Sequence, residues 1–521
     1  MSPAATWSRI LLGLILVGYV VIASLYAVFT PAWQAPDEPA HYNYIRDLAE
    51  KGQLPILQPG DYNQGYLEEI KARRFPADMS VDPIRYESHQ PPLYYVLAVP
   101  VYRLADGRLI ALRLFSVALG VGLLWTIYRL LRIALPGREG LALGGTAFAA
   151  FLPQHIAMSA AVNNDILGEW ILAGCAALSL AYLRSKGDWR RDRWLLLGLA
   201  LLTGLGFLTK TTAYLAWPLV FLAILWRGAS DGRDWARRLA LGLGPGILLG
   251  LPWWVRNWLV YGPGDILGLR QHNLVVVGQP RTSEWLAQMG SVELLRQAGV
   301  TTFRSFWGQF GWMGVLMDSR IYLALAILSA VIAVGCLVAV WEVLQPGRRP
   351  GPHVRPRAIE SLERGEQHHS DESSPATMIN EGSAQRQVIA WMLVWLLLTI
   401  GAYVWYNLTF VQHQGRYLFP ALPVWGLCFA VGLDRVLQPR LSQWMAGLLL
   451  IATLGYLVFG LSRGHVSRWT AALGGGAGIA LGFVGLTPAR WRGVYLALVY
   501  LGMAALDLLA LFGFIVPQLR P

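Results

Sequence analysis

Long runs of apolar residues, each closed by a short polar stretch, set the pattern of this chain. The first run, 10–29, follows Arg9, and at about 20 residues it is long enough to cross a bilayer. With no small-x-small cleavage site behind it, it reads as an uncleaved anchor with a cytoplasmic N-terminus. A polar loop then begins at Thr30, too long for a mere connector, with helical periodicity over 39–50 and 66–74. The next apolar run, 91–104, contains Pro100 and is short for a span, so it predicts a helix lying in the membrane interface.

Charge supports that reading. Cytoplasmic loops are enriched in Lys and Arg. If 91–104 does not cross, the span 109–131 runs inward and delivers Arg129, Arg132 and Arg138 to the cytoplasm. Spans at 141–160 and 166–183 then bring Arg184, Lys186, Arg190, Arg191 and Arg193 inside. A tight hairpin, 194–209 and 211–226, does the same for Arg227, Arg233, Arg237 and Arg238. The span 239–255 returns outward, and 321–344 goes in. Further spans are predicted at 388–407, 417–434, 441–461, 469–485 and 494–516, about thirteen in all, with the C-terminus outside. The expected fold class is therefore an all-α polytopic membrane protein. Its first 344 residues form a transmembrane module with external loops 30–108 and 256–320. The stretch 345–387 is a disordered cytoplasmic linker by composition, and 388–521 holds the C-terminal helices.

Composition agrees with the membrane class: 55% of the residues are apolar and only 14% charged. The net charge of +12 is no signal for nucleic acid, because the arginines recur in clusters between apolar runs. Cys175, Cys336 and Cys428 all fall inside apolar segments, which excludes a disulfide framework or zinc cluster built on them.

The predicted topology gathers the unusual polar residues on the external side. Asp37, Glu38 and His41 lie just past the first span, and Glu87 and His89 lie later in the same loop. Asp165 follows the outward third span, Lys210 caps the hairpin, Arg256 opens the second loop, and His413, Arg416 and Tyr417 end a later outward span. This set suits transfer of a sugar carried on a lipid phosphate. A general base takes the proton of the acceptor hydroxyl, and fixed cations stabilise the charge that returns to the departing phosphate. Asp37 is the expected base, with Glu38 and Asp165 as the other catalytic carboxylates; Asp165 could equally cap the helix that begins beside it. Arg256, Arg416 and Lys210 are the expected phosphate ligands, because a guanidinium holds phosphate oxygens bidentately, and His413 and Tyr417 join them in binding the donor. No cofactor is required. A divalent metal on His41, Glu87 and His89 is the alternative to plain hydrogen bonding of the two histidines to loop carbonyls.

Several motifs carry a family resemblance. They are Pro36-Asp37-Glu38, His89-Gln90-Pro91-Pro92-Leu93-Tyr94-Tyr95, Arg113 to Ser116, Asn164-Asp165, Leu208-Thr209-Lys210, Pro252 to Asn257, and Gln414-Gly415-Arg416-Tyr417. In that order they resemble the GT-C glycosyltransferases of the protein O-mannosyltransferase and aminoarabinose-transferase type. The resemblance implies a type A GT-C fold, Asp37 as catalytic base, a polyprenyl-phosphate-linked sugar as partner in the plasma membrane, and an interfacial helix at 91–104. Gln90 interrupts the family's His-Pro-Pro-Leu element, and nothing beyond Tyr417 resembles a domain that reads a peptide. The acceptor, whether lipid, glycan or protein, is therefore left open. Competing readings are a flippase or transporter of a lipid-linked sugar, which predicts polar, broken helices at the bilayer midplane, and a polysaccharide polymerase or ligase, which does not require the Asp37-Glu38 pair.

Overall fold

The computed structural model describes residues 3–185, 187–345 and 375–520, the side chains of 3–5 and 375–384 excepted. In chain order the helices are α1 (Pro3–Phe29), α2 (Glu38–Lys51), α3 (Gln64–Ala72), α4 (Leu93–Leu104), α5 (Leu109–Ala134), α6 (Glu139–Ala150), α7 (Pro153–Ser159), α8 (Asp165–Leu183), α9 (Trp189–Phe207) and α10 (Ala216–Arg227). There follow α11 (Gly232–Tyr261), α12 (Leu269–Val275), α13 (Thr282–Trp307), α14 (Ser319–Leu344), α15 (Pro375–Asn407), α16 (Leu422–Val436), α17 (Pro439–Ser462), α18 (Arg468–Leu486) and α19 (Arg492–Leu509). A wide π turn, Ala510–Ile515, leads from α19 into α20 (Val516–Leu519). Among the described residues the only strands are Gln309–Phe310 and Val315–Leu316, an antiparallel pair with Gln309 opposite Leu316.

Ten helical stretches among the described residues are long and apolar enough to cross a membrane, eleven if α6 and α7, bent by 64° at their junction, form one span. The expected thirteen is not reached. The two that fall short are α9, whose first turn spends its length on Arg190, Arg191, Asp192 and Arg193, and α10, which has only 12 residues. A span needs about 20 mainly apolar residues. Helix α4, also 12 residues long, falls well below that length, in line with the interfacial reading. Helix α15 starts at Pro375, inside the stretch expected to be a linker; the rest of that stretch, 346–374, lies outside the described residues.

Two large apolar clusters hold the helices together. One joins α1, α5, α6, α14, α16 and α19, and the other joins α2, α4, α5, α8, α10 and α15, with Trp391 and Trp395 fully buried. Apolar helices gain little from the hydrophobic effect inside lipid, so close packing has to hold them. At the α6–α16 contact Gly145 and Gly426 meet backbone to backbone, and a Cβ on either would strike the other's main chain. A third, smaller cluster, Ala40, Leu67, Ile70, Ile84, Tyr86 and Val276, packs α2, α3 and the second long loop together. Full burial of a Leu or Ile in water contributes about 1.5–3 kcal/mol, so this cluster can fix Tyr86 where the chain leaves the helices.

Candidate active site

The site begins where α1 ends. Pro31 follows Thr30, the chain turns through 33–36, and Asp37 takes the left-handed conformation (φ 66°) immediately before α2, whose first turn carries Pro39. A non-glycine residue there is strained, and it needs surroundings that over-determine it. Glu38 supplies them. Its carboxylate is 0% exposed and receives both arms of the Arg113 guanidinium from α5, Nε on Oε1 at 2.8 Å and Nη2 on Oε2 at 2.6 Å. The backbone N–H groups of Val162 and Trp33 complete it at 3.2 Å each. Arg113 also donates to the carbonyls of Ala27, Thr30 and Pro31. Glu38 was expected among the catalytic carboxylates, and the structure engages both of its oxygens with Arg113 and backbone N–H groups. Its oxygens are spent inside the protein, and the residue positions its neighbour.

Asp37 points the other way. Arg416 Nη2 donates to its Oδ2 at 2.8 Å and the Tyr86 hydroxyl donates to its Oδ1 at 2.8 Å. Its side chain keeps 27% of its surface open, against 10% for Arg416, so a substrate can reach it. Burial alone would raise the Asp37 pKa. Arg416, His41 and the hydrogen bonds from Arg416 and Tyr86 outweigh it and hold the carboxylate below its ordinary value.

A second pair stands beside the first. Asp165, the first residue of α8, accepts from Lys210 Nζ at 2.5 Å. Asn163 Oδ1 takes the Asp165 backbone N–H, so the carboxylate is left free for the lysine and does not cap the helix. Burial acts to lower the Lys210 pKa, but Asp165 and Glu87 more than offset it, and the ammonium stays charged. His41 ties the two pairs together. Burial lowers its pKa, while Glu87, Lys210, Asp37 and Asp165 all act on it electrostatically, and its Nδ1 lies 2.8 Å from the Tyr95 hydroxyl. Tyr95 is fixed in turn by stacking on Tyr44 at 3.7 Å between ring centroids.

Arg416 is brought in by a 3-10 turn, Gly415–Ala421, that packs on the end of α13. The Gly415 N–H donates to Ser305 Oγ at 2.7 Å, Arg416 Nη1 rests against Met158 Sδ of α7, and Arg416 Nε has no partner. Tyr417 lies under the Arg416 guanidinium and against Tyr406. A Cβ at Gly415 would fall on the backbone N and Cα of Phe306 and on the Thr302 carbonyl, none of which can yield alone. Gly415→Ala is therefore expected to cost about 1–3 kcal/mol and to push Arg416 off Asp37. Detergent melting temperature and binding of a lipid phosphate, measured together, check this; wild-type values for both would show that the contact can relax.

Three expected site residues stand apart. Arg256 uses its donors on the Pro55 carbonyl (2.6 Å), Asn257 Oδ1 (2.9 Å) and the Tyr261 hydroxyl (3.3 Å), and it pins the end of α11 to the first loop. No carboxylate of the Asp37 cluster pairs with it. The His413 ring lies edge-on to Trp285, and burial lowers its pKa. His89 holds the Tyr86 carbonyl through Nδ1 at 3.1 Å and packs on His272; burial and His272 drive its pKa down to about 3. The metal set His41, Glu87 and His89 therefore does not converge, and among the described residues no group of three His, Cys, Asp or Glu side chains could hold a metal ion. Sequence reading missed Tyr86, which sits in a run without a distinguishing pattern, and gave Tyr95, at the end of the His89 to Tyr95 motif, no role of its own. Arg113 was visible as a charge inside an apolar run, but its partner was not.

Fold and site together define a polytopic membrane protein with two carboxylate–cation pairs where its helices meet its long loops. Residues 89–254 match the family model for dolichyl-phosphate-mannose-protein mannosyltransferases. The matched residues include Asp165 and Lys210, and the match agrees with the resemblance to GT-C glycosyltransferases that the motifs carry. No curated protein sequence matches the chain. Among solved structures the chain is similar to ArnT from Cupriavidus metallidurans bound to undecaprenyl phosphate. The identity is 16% over 99% of this chain and 74% of that one, with a TM-score of 0.45. It is also similar to the oligosaccharyltransferase AglB from Archaeoglobus fulgidus in complex with an inhibitory peptide and a dolichol-phosphate. There the identity is 14% over 97% of this chain and 56% of that one, with a TM-score of 0.46.

Proposed function

We propose that the protein transfers a sugar from a polyprenyl-phosphate-linked donor to an acceptor hydroxyl at the external face of the plasma membrane, with inversion at the anomeric carbon. The observation that carries this reading is the Asp37 carboxylate, held ionised by Arg416 and Tyr86 yet open to a substrate, beside the second pair Asp165–Lys210. The family match, with its dolichyl-phosphate-linked donors, supports the donor class. The distribution of basic clusters supports the external face.

In the reaction the acceptor oxygen attacks the anomeric carbon as the bond from that carbon to the phosphate oxygen breaks. The hydroxyl proton passes to Asp37. The departing polyprenyl phosphate gains a negative charge, which Lys210 and Arg416 stabilise more strongly than they stabilise the intact phosphodiester. Arg416 has a donor to spare for this, since Nε is buried and unpaired while Nη2 holds Asp37. As the phosphate draws the guanidinium toward itself, Asp37 loses part of its counter-charge and becomes a better proton acceptor. No step is routed through a metal.

Purified protein given a panel of polyprenyl-phosphate sugars should release the lipid phosphate and form a product of inverted anomeric configuration. Movement of intact donor lipid across the bilayer without release would favour a flippase and overturn the reading. The pH profile carries a further sign. The base works deprotonated and its pKa is held low, so the acid limb of kcat/KM lies below the ordinary carboxylate range. Arg416→Gln removes the strongest influence that opposes burial, and the limb of the residual activity should move to higher pH; an unmoved limb would separate Arg416 from the base.

A further inference from the structure

The carboxyl of Glu87, next in sequence to Tyr86, has its Oε2 buried with no hydrogen-bond partner. It lies inside the site: its charge acts on His41 and Lys210, and on the hydroxyls of Tyr95 and Tyr406. The Lys210 ammonium is given to Asp165. A second buried acceptor, linked to Tyr86 through Tyr62, is also without a partner. Gln279 hydrogen-bonds the Tyr62 hydroxyl and leaves its Oε1 buried and unpaired, and the Tyr62 ring stands edge-on to Tyr86 at 5.5 Å.

Buried acceptors are rarely left without donors, because the lost hydration is not repaid until something binds. Both atoms accept only, so whatever completes them must donate. That excludes the phosphate of the donor, which brings acceptor oxygens and negative charge, and it excludes the prenyl chain, which brings neither. A metal ion at Glu87 lacks the further ligands, since no such group gathers among the described residues. Sugar hydroxyls supply donors of the right kind.

We propose that Glu87 Oε2, with Gln279 Oε1, binds hydroxyl groups of the sugar being transferred and so sets which sugar the site accepts. This rests on the transferase reading above. A site built to hydrogen-bond a hydroxyl rejects the analogue that lacks it far more strongly than a hydrophobic pocket rejects a missing methylene.

The test is a set of synthetic polyprenyl-phosphate sugars, each missing one hydroxyl, turned over by wild type, Glu87→Leu and Glu87→Gln. Wild type should lose about 10-fold or more in kcat/KM for the donor that lacks the hydroxyl bound by Glu87. In Glu87→Leu that donor and the complete one should be used equally, and Glu87→Gln, which keeps an acceptor oxygen, should recover part of the preference. Binding of the polyprenyl phosphate without a sugar should survive in both variants. An unchanged preference in Glu87→Leu overturns the assignment and leaves the transferase reading intact. Loss of sugar-free lipid binding in both variants also overturns it, by giving Glu87 a purely structural place. A wild type that uses no lipid-phosphate sugar overturns the transferase reading, and the assignment with it.

Discussion

Asp37→Asn should lower sugar transfer by about 10²–10⁴-fold, the range that a positioned general base contributes, while the protein still binds polyprenyl phosphate. The amide has nearly the shape of the carboxylate, so the Tyr86 and Arg416 contacts at 2.8 Å can be kept in altered form. What is lost is the lone pair that takes the acceptor proton. Binding should even tighten, because Arg416 no longer shares its charge with a carboxylate. Measured side by side, transfer and binding then move in opposite directions, which a folding defect cannot produce. Transfer by Asp37→Asn at the wild-type rate would remove Asp37 as the base.

The second large effect is structural. Arg113→Met should destabilise the protein by about 3–5 kcal/mol, the usual result of removing one member of a buried ion pair. Glu38, 0% exposed, would lose its counter-ion and keep only the Val162 and Trp33 N–H groups, and the carbonyls of Ala27, Thr30 and Pro31 would lose their donor. Melting temperature in detergent reads this directly. The double variant Arg113→Met with Glu38→Leu should recover much of the stability, because an apolar pair of similar volume replaces a buried ion pair at little cost. Transfer should stay low, since Asp37 keeps its left-handed conformation (φ 66°) only while Glu38 fixes the start of α2. Full recovery of both would show that the pair merely fills space, and a single variant as stable as wild type would contradict the burial argument outright.

Much of the architecture was legible in one dimension. Apolar runs of span length, cut by arginine clusters, give the order of the membrane helices and mark α4 as too short to cross, because length and hydropathy are properties of each segment alone. The count failed at α9 and α10 for a related reason. Their apolar stretches are real but short: the charges of α9 occupy its first turn, and α10 with its 3-10 turn reaches only from Thr211 to Arg227. Among the site residues, Asp37, Asp165, Lys210 and Arg416 stand out because ionisable groups are costly near a membrane and rarely cluster without cause.

Which of those charges would meet was not legible. Asp37 and Arg416 are 379 residues apart, and their contact depends on how the Gly415 turn seats on Phe306. Glu38 and Asp37 look equivalent as neighbours in sequence. The left-handed turn sends one into the protein toward Arg113 and the other toward the substrate, and only backbone geometry distinguishes them. Arg256 and His89 carry the same chemistry as the residues that do converge, yet the folded loops give Arg256 the Pro55 carbonyl and His89 the Tyr86 carbonyl. Residue types and their spacing thus established a membrane-embedded protein with a polar site, since each helix is specified by its own segment. Which of the charges pair with each other, and which are spent inside the protein, came from packing, because a charge's partner is the one that the fold sets against it.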